Sequence, residues 1–587
     1  MSKQSNKNNK NNKFFNNKRT NNGADERNNN HGTRFSTYNT TKGKFDDERI
    51  SGDNDASWYA GNAQLLKDSA SFSYNWPVGI KIPGFESSDG TDGLSIPGIC
   101  VIETSPCVGW SEDGSSPINI AMRNIYTFVR HMNSGSTNYD APDLMQYILA
   151  YDSCNMYLSW LKRIYGTAQL YNVKNRYFPT SIVEAMGVDY DDVIANLADF
   201  RMQINSYATK LMGLCVPANM PLFARHEFMY SGVYLDSSAE KAQMYMYNPR
   251  GFLQYREYDD PNKKNPAPAL LYYDIRERFK TSDPYHLTVS QLRIIGDELL
   301  TSFTNSNTCN IMMGDILKAY GDGGVYRASG ITETYTVYPT YNAEVLSQIE
   351  NATMCGYFMA DDGTSLHERK FCYEAIVDDL PRGYLISKPY VFYNNGSLPN
   401  AAQPTAFGNE AYIHDRIINF HMDPVEPANT IVATRLTNIA RDYNPTNNGF
   451  RFYTLGTEIA HSMKVYYWGF TPGSKTWELQ VTNPMYLNMF EQVPYLKGSE
   501  SGNITVAQLQ AVLKVIGNNV RSLAKLSNFD WHPQVYADSA VVLKDTNGDY
   551  YAITENSDLP IEDVNYYTVL TEKDLIGMVQ TALVSEF

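Results

Sequence analysis

"APDLMQYILAYDSCNMYLSWLKRIYG", residues 141–166, decides how the chain folds. Leu144, Met145, Ile148, Leu149, Tyr157, Trp160, Leu161 and Ile164 occupy nearly every side of a 3.6-residue period, which describes a helix buried all round at the centre of a large domain. Gly166 reads as its stop. Upstream, "SSPINIAMRNIYTFVRHM" (115–132) reads as an amphipathic helix. Ser116 is the N-cap, Pro117 the first helical residue, and Ile118, Ala121, Met122, Ile125 and Val129 form the apolar stripe. Ile125, Leu144, Ile148, Trp160 and Leu161 are the expected core positions.

Further helices are expected over 190–213, 289–303 and 311–320. After "GDGGVYRASG" (321–330) the texture changes. "TETYTVYPTY", "GYLISKPYVFYNN", "FRFYTLGTEIAHSMKVYYWGF" and "TWELQVT" are rich in Tyr, Val, Thr and Phe between turn residues, which are strand signals. One helix, "EPANTIVATRLTNIARDY" (426–443), interrupts them. Helix returns in "ITVAQLQAVLKVIGNNVRSLAKL" and in "EKDLIGMVQTALVSEF" at the end. The fold class expected is α+β: a mostly helical domain with an inserted β-rich domain, preceded by a disordered basic arm. The limits expected are 1–50 for the arm, 51–327 for the first helical part, 328–501 for the β-rich insertion and 502–587 for the second part, with helical ends and short strands.

The arm carries the charge asymmetry. "NNKNNKFFNNKRTNNGADERNNN" (8–30) is asparagine with regularly spaced cations, and only Phe14 and Phe15 offer apolar surface. Such a segment cannot offset the entropy of ordering itself. Up to residue 44, Lys3, Lys7, Lys10, Lys13, Lys18, Arg19, Arg27, Arg34, Lys42 and Lys44 stand against Asp25 and Glu26. The arm is therefore about +8, and with a chain total of −15 the remainder is about −23. A basic tail on an acidic body suits a nucleic-acid-binding arm, and equally a solubilising tail.

Catalytic signatures are missing. No GxxxxGK[ST] or GxGxxG loop supports nucleotide binding, and no GxSxG elbow supports a serine hydrolase. "HEFMY" at His226 lacks the second histidine of a zinc protease. The pairs Asp191–Asp192 and Asp361–Asp362 evoke a polymerase, but two-metal catalysis needs carboxylates converging from separate elements. Asp191 and Asp192 better suit a helix N-terminus. His131, His226 and His532 read as satisfied core or interface residues, with no metal spacing among them. The 7 cysteines are scattered without a CxxC pair, so neither a zinc site nor a disulfide scaffold is expected. No metal, cofactor, signal peptide or membrane span is expected. The 44 tyrosines fit either an interface or strands.

Several blocks resemble the coat proteins of picobirnaviruses, which have segmented double-stranded RNA genomes. They are "SPINIAMRNIYTFVRHMNSGSTNYDAPDLMQYILAYDS", "NRYFP", "GVDYDDVIANLADF", "ARHEFMYSGVYLDSSAEKAQMYMYNP", "MMGDILKAYGDGGV", "YPTYNAEVLSQI", "VATRL" and "NFDWHPQVY", spread over most of the chain in the family's order. The resemblance implies a non-enzymatic capsid protein that forms segment-exchanging homodimers, about sixty of which tile a thin icosahedral shell. It implies a helical shell region with a projection, a virion location with assembly in the host cytoplasm, and genomic RNA as partner, the arm's cations meeting phosphates without reading bases. It also allows removal of an N-terminal peptide, for which the Asn62–Ala63 bond is the candidate cleavage point. The rival reading is a nucleoprotein that coats RNA as a filament, which would need a basic groove on the body.

Overall fold

The computed structural model describes residues 98–354, 370–392, 415–482 and 539–587, apart from short stretches at 136–137, 171–177, 237–241, 258–267, 282–284, 379, 389, 421–425, 445–448, 472, 545–549 and 556–566. Within them the chain combines helices and sheets, an α+β composition. The expected arm, residues 62–63 and the helix expected over 504–526 lie outside the described residues.

Strand β1 (Ile99–Pro106) is buried along its whole length. Helix α1 (Pro117–Met132) begins as its sequence dictates, with Ser116 at the N-cap and Pro117 in the first turn. It buries Ile118, Ala121, Met122, Ile125 and Val129. Helix α2 (Ala141–Ala168) is buried on all sides, and the Asp143 carboxylate accepts the Asp140 N–H at 2.9 Å to close its N-terminus. Ile125, Leu144, Ile148, Trp160 and Leu161 all join the main core.

Gly166 does not stop α2. A Cβ there would meet Val337 Cγ2 at 2.6 Å and the Val337 nitrogen at 2.9 Å, and Val337 N–H donates to the Gly166 carbonyl at 3.2 Å. The glycine admits a crossing segment of backbone, and the helix runs on to Ala168.

Four helices follow: α3 (Phe178–Ala185), α4 (Tyr190–Ala195), α5 (Leu197–Met212) and α6 (Pro221–Ser231). The single helix expected over 190–213 is thus two. Asn196 caps both, leaving the α region at φ −114°, ψ 22°, while its side-chain amide donates to the Asp192 carbonyl at 2.9 Å. Next come β2 (Tyr234–Leu235), β3 (Met244–Pro249), β4 (Gly251–Arg256), β5 (Ala269–Asp274) and the short α7 (Ile275–Phe279). Helices α8 (Val289–Thr304) and α9 (Asn307–Tyr320) are capped by Thr288 and Ser306. The Ser306 cap starts α9 one turn before the apolar spacing alone indicates.

The rest is mostly strand: β6 (Thr340–Tyr341), α10 (Ala343–Glu350), β7 (Lys370–Val377), β8 (Leu380–Ile386), β9 (Tyr390–Phe392) and β10 (Asp415–Asn419). Then follow α11 (Pro427–Ala433), β11 (Asn438–Asn444), β12 (Gly449–Thr454), β13 (Glu458–Thr471) and β14 (Thr476–Val481). The last elements are β15 (Ser539–Lys544), β16 (Tyr550–Glu555), β17 (Tyr567–Thr571) and α12 (Glu572–Glu586). The helix expected over 426–443 ends at Ala433, and its second half is β11. Thr430 and Thr434 turn their hydroxyls back onto the carbonyls four residues earlier, at 3.0 and 2.7 Å, which weakens a helix made of β-branched residues.

A six-stranded sheet, ordered β14–β13–β1–β3–β2–β6, runs through the core, and a four-stranded sheet, β4–β5–β7–β8, lies beside α2. Strand β1 is antiparallel to β13 and parallel to β3, with Ile99 opposite Tyr466 and Glu103 opposite Ser462. The central strand thus recruits its neighbour from the stretch expected to form the insertion. Likewise β5 pairs with β7, so the four-stranded sheet draws on both stretches. Tyrosine proves to be core material: Tyr147, Tyr151 and Tyr157 on α2, and Tyr234, Tyr245 and Tyr247 on strands, are fully buried.

Candidate functional site

Two buried charge clusters lock β13 into the core. The first gathers on Glu458, the opening residue of β13. Its Oε1 lies 3.1 Å from Arg225 Nε, 3.2 Å from His226 Nε2 and 3.6 Å from Arg435 Nη2, and accepts the Thr457 hydroxyl at 3.0 Å. Helix α6 supplies Arg225 and His226 from adjacent positions. On the ring's other side, His226 Nδ1 meets Asp152 Oδ2 of α2 at 2.5 Å. Arg435 also grips Glu586 at the end of α12 with both terminal guanidinium nitrogens, Nη2 to Oε2 at 3.0 Å. Arg225 Nη2 donates to Gln348 Oε1 at 2.7 Å, tying in α10.

The electrostatics are self-consistent. Both His226 ring nitrogens face carboxylates, so the ring is an imidazolium. Burial works against that charge, but Asp152 and Glu458 outweigh it and lift the His226 pKa to about 9. Burial also opposes the charge on Glu458, and Arg225 and Arg435, with His226, hold it well below the usual carboxylate range. Burial pushes Asp152 up against the pull of His226. Asp152, Glu458 and Glu586 then balance Arg225, His226 and Arg435.

The second cluster lies on β1. Glu103 Oε1 accepts Arg276 Nη2 at 2.6 Å and Lys464 Nζ at 2.7 Å, and its Oε2 accepts the Ser462 hydroxyl at 2.8 Å. Buried as it is, Glu103 is held well below its ordinary pKa by Arg276 and Lys464. Nearby, Arg163 of α2 is buried and bonded to neutral oxygens: Nη2 donates to the Tyr247 carbonyl at 2.6 Å and Asn248 Oδ1 at 2.9 Å, and Nη1 to the Gly232 carbonyl at 3.2 Å. These groups order elements distant in sequence. None of them lines the open cleft between β4, β5 and α8.

Chemistry elsewhere in the described residues is equally structural. Cys100, Cys107, Cys154, Cys215, Cys309 and Cys372 are unpaired and buried, and burial pushes the Cys107 and Cys154 thiols up to about 12. No group of His, Cys, Asp and Glu suits a metal ion among the described residues. An open cleft of about 590 Å³ lies between β4, β5 and α8. Its charged pair is already closed: Arg278 donates to both Glu298 oxygens at 2.6–3.1 Å, and Tyr273 Oη donates to Glu298 at 2.7 Å.

Of the residues singled out in the sequence, the ten arm cations, Asn62, Ala63, Asp361, Asp362 and His532 lie outside the described residues. Asp191 and Asp192 open α4, where Asp189 accepts the Asp192 N–H at 3.0 Å. Asp192 also accepts the Val289 N–H at 2.7 Å, at the start of α8. His226 is the core histidine expected, bonded through Nδ1 to Asp152 and only in charge contact through Nε2 with Glu458, whereas His131 is exposed at the end of α1. Asp152, Arg225, Arg435, Glu458 and Glu586 were not singled out. The adjacent Arg225-His226-Glu227 within an otherwise apolar helix is the one sequence signal that marks their cluster.

The family profile described as "Picobirnavirus, Capsid protein" matches residues 58–548. The chain is 27% identical over 556 residues to a protein of human picobirnavirus (strain Human/Thailand/Hy005102/-) named "Capsid protein precursor", covering 91% of this chain and 90% of that one. It superposes on a structure described as "X-ray crystallographic structure of the picobirnavirus capsid" with a TM-score of 0.63, at 20% identity, over 91% of this chain and 98% of the other.

Proposed function

This chain belongs to the picobirnavirus capsid protein family, and from that premise we propose that it dimerises and self-assembles into a thin icosahedral shell enclosing double-stranded RNA. Its role is structural rather than enzymatic. The arm, with Lys3, Lys7, Lys10, Lys13, Lys18, Arg19, Arg27, Arg34, Lys42 and Lys44, binds RNA phosphates without sequence preference. Residues 51–327 and 502–587 build the shell region, and 328–501 carry the projection, rooted in the core through the β1–β13 pairing. Assembly proceeds in the host cytoplasm, with genomic RNA as cargo.

The family match over residues 58–548 is the observation that carries this reading. Large apolar side chains left exposed in the monomer are in keeping with subunit contacts: Tyr338, Leu380, and the cross-strand pair Phe470 and Trp477, whose ring centroids are 5.5 Å apart. Electron microscopy of the protein expressed alone tests it. Closed shells are expected; filaments would favour an RNA-coating nucleoprotein, and dispersed monomers would overturn assembly.

The human relative's name, "Capsid protein precursor", supports a processing step as well. At Asn62–Ala63 the asparagine side-chain nitrogen would attack its own main-chain carbonyl, leaving a C-terminal succinimide and freeing the Ala63 amine. Intact mass measurement of purified particles decides this, since particles holding only the full 66.4 kDa chain would end the idea.

A further inference from the structure

We propose that the exposed face of α1 is a second surface that contacts the phosphates of duplex RNA, placed on the folded body rather than the arm; this rests on the capsid reading above. Helix α1 has 16 residues, among them Arg123, Arg130 and His131, and no aspartate or glutamate. Arg123, Asn124, Thr127 and His131 recur at helical spacing and are exposed, with the half-buried Arg130 beside them, while Ile118, Met122, Ile125 and Val129 point the other way into the core. Arg123 and Arg130 are seven residues apart, about 10 Å along the axis.

These two arginines share one helix face and one kind of partner. The chain has 64 acidic against 49 basic residues, and several surface cations find carboxylates: Lys388 with Glu112, Arg278 with Glu298, Lys210 with Asp297 and Arg327 with Asp322. Arg123 and Arg130 find none among the described residues. Arg123 Nη2 donates to the Gly114 carbonyl at 2.7 Å, and Arg130 Nη2 to the Gly135 carbonyl at 2.6 Å. A carbonyl aims a guanidinium without neutralising it, and most of the five N–H donors stay free for a second acceptor. The neighbouring Asp113 carboxylate is engaged by the Ser115 N–H at 2.7 Å and the Ser115 hydroxyl at 2.6 Å.

A polyanion is the complement of such a face. Asn124 and Thr127, between the two arginines, add hydrogen-bonding groups suited to phosphate and ribose hydroxyl oxygens, the features by which duplex RNA is bound without base readout. The centre of a subunit contact is instead depleted in charge and rich in apolar and aromatic side chains. Phe128 of this helix is 43% exposed and Met132 45%, and the Phe128 ring leans onto Tyr320 of α9 with centroids 4.8 Å apart.

Six full-length proteins test the proposal: the native chain, the chain with its ten arm cations replaced by glutamine, and each of these with Arg123→Gln and Arg130→Gln or with Arg123→Lys and Arg130→Lys. The probe is a mixed-sequence RNA duplex of about 30 base pairs, titrated at several salt concentrations. The helix substitutions should lower the log–log salt slope by about 2 in both backgrounds, and Arg123→Lys with Arg130→Lys should restore it. An unchanged slope overturns the proposal, as does a failure of the lysine pair to restore binding. Loss of particles with RNA binding intact also overturns it, because the face would then meet another copy. The arm reading is judged separately: it fails if the arm-neutralised protein with its native helix binds as strongly as the native chain.

Discussion

Arg225 Nε on α6 stands 3.1 Å from Oε1 of Glu458, the first residue of β13, and the Glu458 side chain is fully buried with Arg225 nearly so. This contact, shared with His226 and Arg435, holds the start of the strand that pairs with β1. Desolvation offsets the attraction, so such a pair contributes little beyond an apolar replacement, but removing one partner strands the other charges. Glu458→Gln keeps the shape and leaves Arg225, His226 and Arg435 facing a neutral amide. It should cost about 3–5 kcal/mol in urea unfolding of the assembled protein. A cost below about 1 kcal/mol would show that the carboxylate is not their counter-charge.

The same cluster sets an alkaline limit. The His226 pKa is raised from 6.5 to about 9 in the folded chain. The folded state therefore holds the proton more tightly than the unfolded state. The stability this contributes is complete below about pH 6.5 and is lost as pH rises through about 9, at up to about 1.4 kcal/mol per pH unit. Glu458, held low, acts in the other direction: its contribution is present above the ordinary glutamate pKa and lost as the medium becomes strongly acidic. Stability measured from pH 6 to pH 10 should fall across that window, and His226→Gln should flatten the fall. An equal decline in both proteins would place the alkaline sensitivity elsewhere.

Two glycines in helices should respond oppositely to alanine. At Gly166 the new Cβ would press on Val337 Cγ2 and its backbone nitrogen, so Gly166→Ala should destabilise by about 1–3 kcal/mol. At Gly577 of α12 a Cβ meets nothing within 4 Å, so Gly577→Ala should stabilise by about 0.5–1 kcal/mol. Trp160, buried on α2, calibrates the scale, with Trp160→Ala expected to cost about 3–5 kcal/mol. Matching thermal shifts at the two glycines would mean that the Val337 segment yields freely.

Helical periodicity carried the first half of the fold. Ser116-Pro117 and the apolar stripe of α1, the unbroken burial of α2 and the Asp191–Asp192 start of α4 were legible because each is a local signal. Strands β1 and β3 were not. "ICVIETSP" and "MYMYNP" are buried at every position, so they lack the alternation that marks a half-exposed strand, and their partners lie far along the chain. The charge clusters were hidden for the same reason: Asp152, Arg225, Glu458 and Glu586 meet only after four elements have packed. Abundant tyrosine fits an interface or strands by composition, yet on α2 it fills a helical core, a use composition cannot distinguish.

The arm, finally, makes a prediction that its composition alone supports. With about +8 on each chain, many copies lining one shell would concentrate positive charge against RNA phosphates. Binding by phosphate neutralisation releases counterions, so affinity should fall with salt at a log–log slope of roughly −0.7 to −0.9 per phosphate contacted, and should hardly depend on sequence. Replacing Lys3, Lys7, Lys10, Lys13, Lys18, Arg19, Arg27, Arg34, Lys42 and Lys44 with glutamine should leave shell formation intact, because residues 8–30 offer only Phe14 and Phe15 as apolar surface for a core. The particles should lose most co-purifying RNA. Replacing the arm's asparagines with serine should change little, since they contribute solubility and not charge. If charge-stripped particles carry as much RNA as native ones, the electrostatic arm is wrong, and the RNA must be held by the body, where the two carbonyl-tethered arginines of α1 are the first place to look.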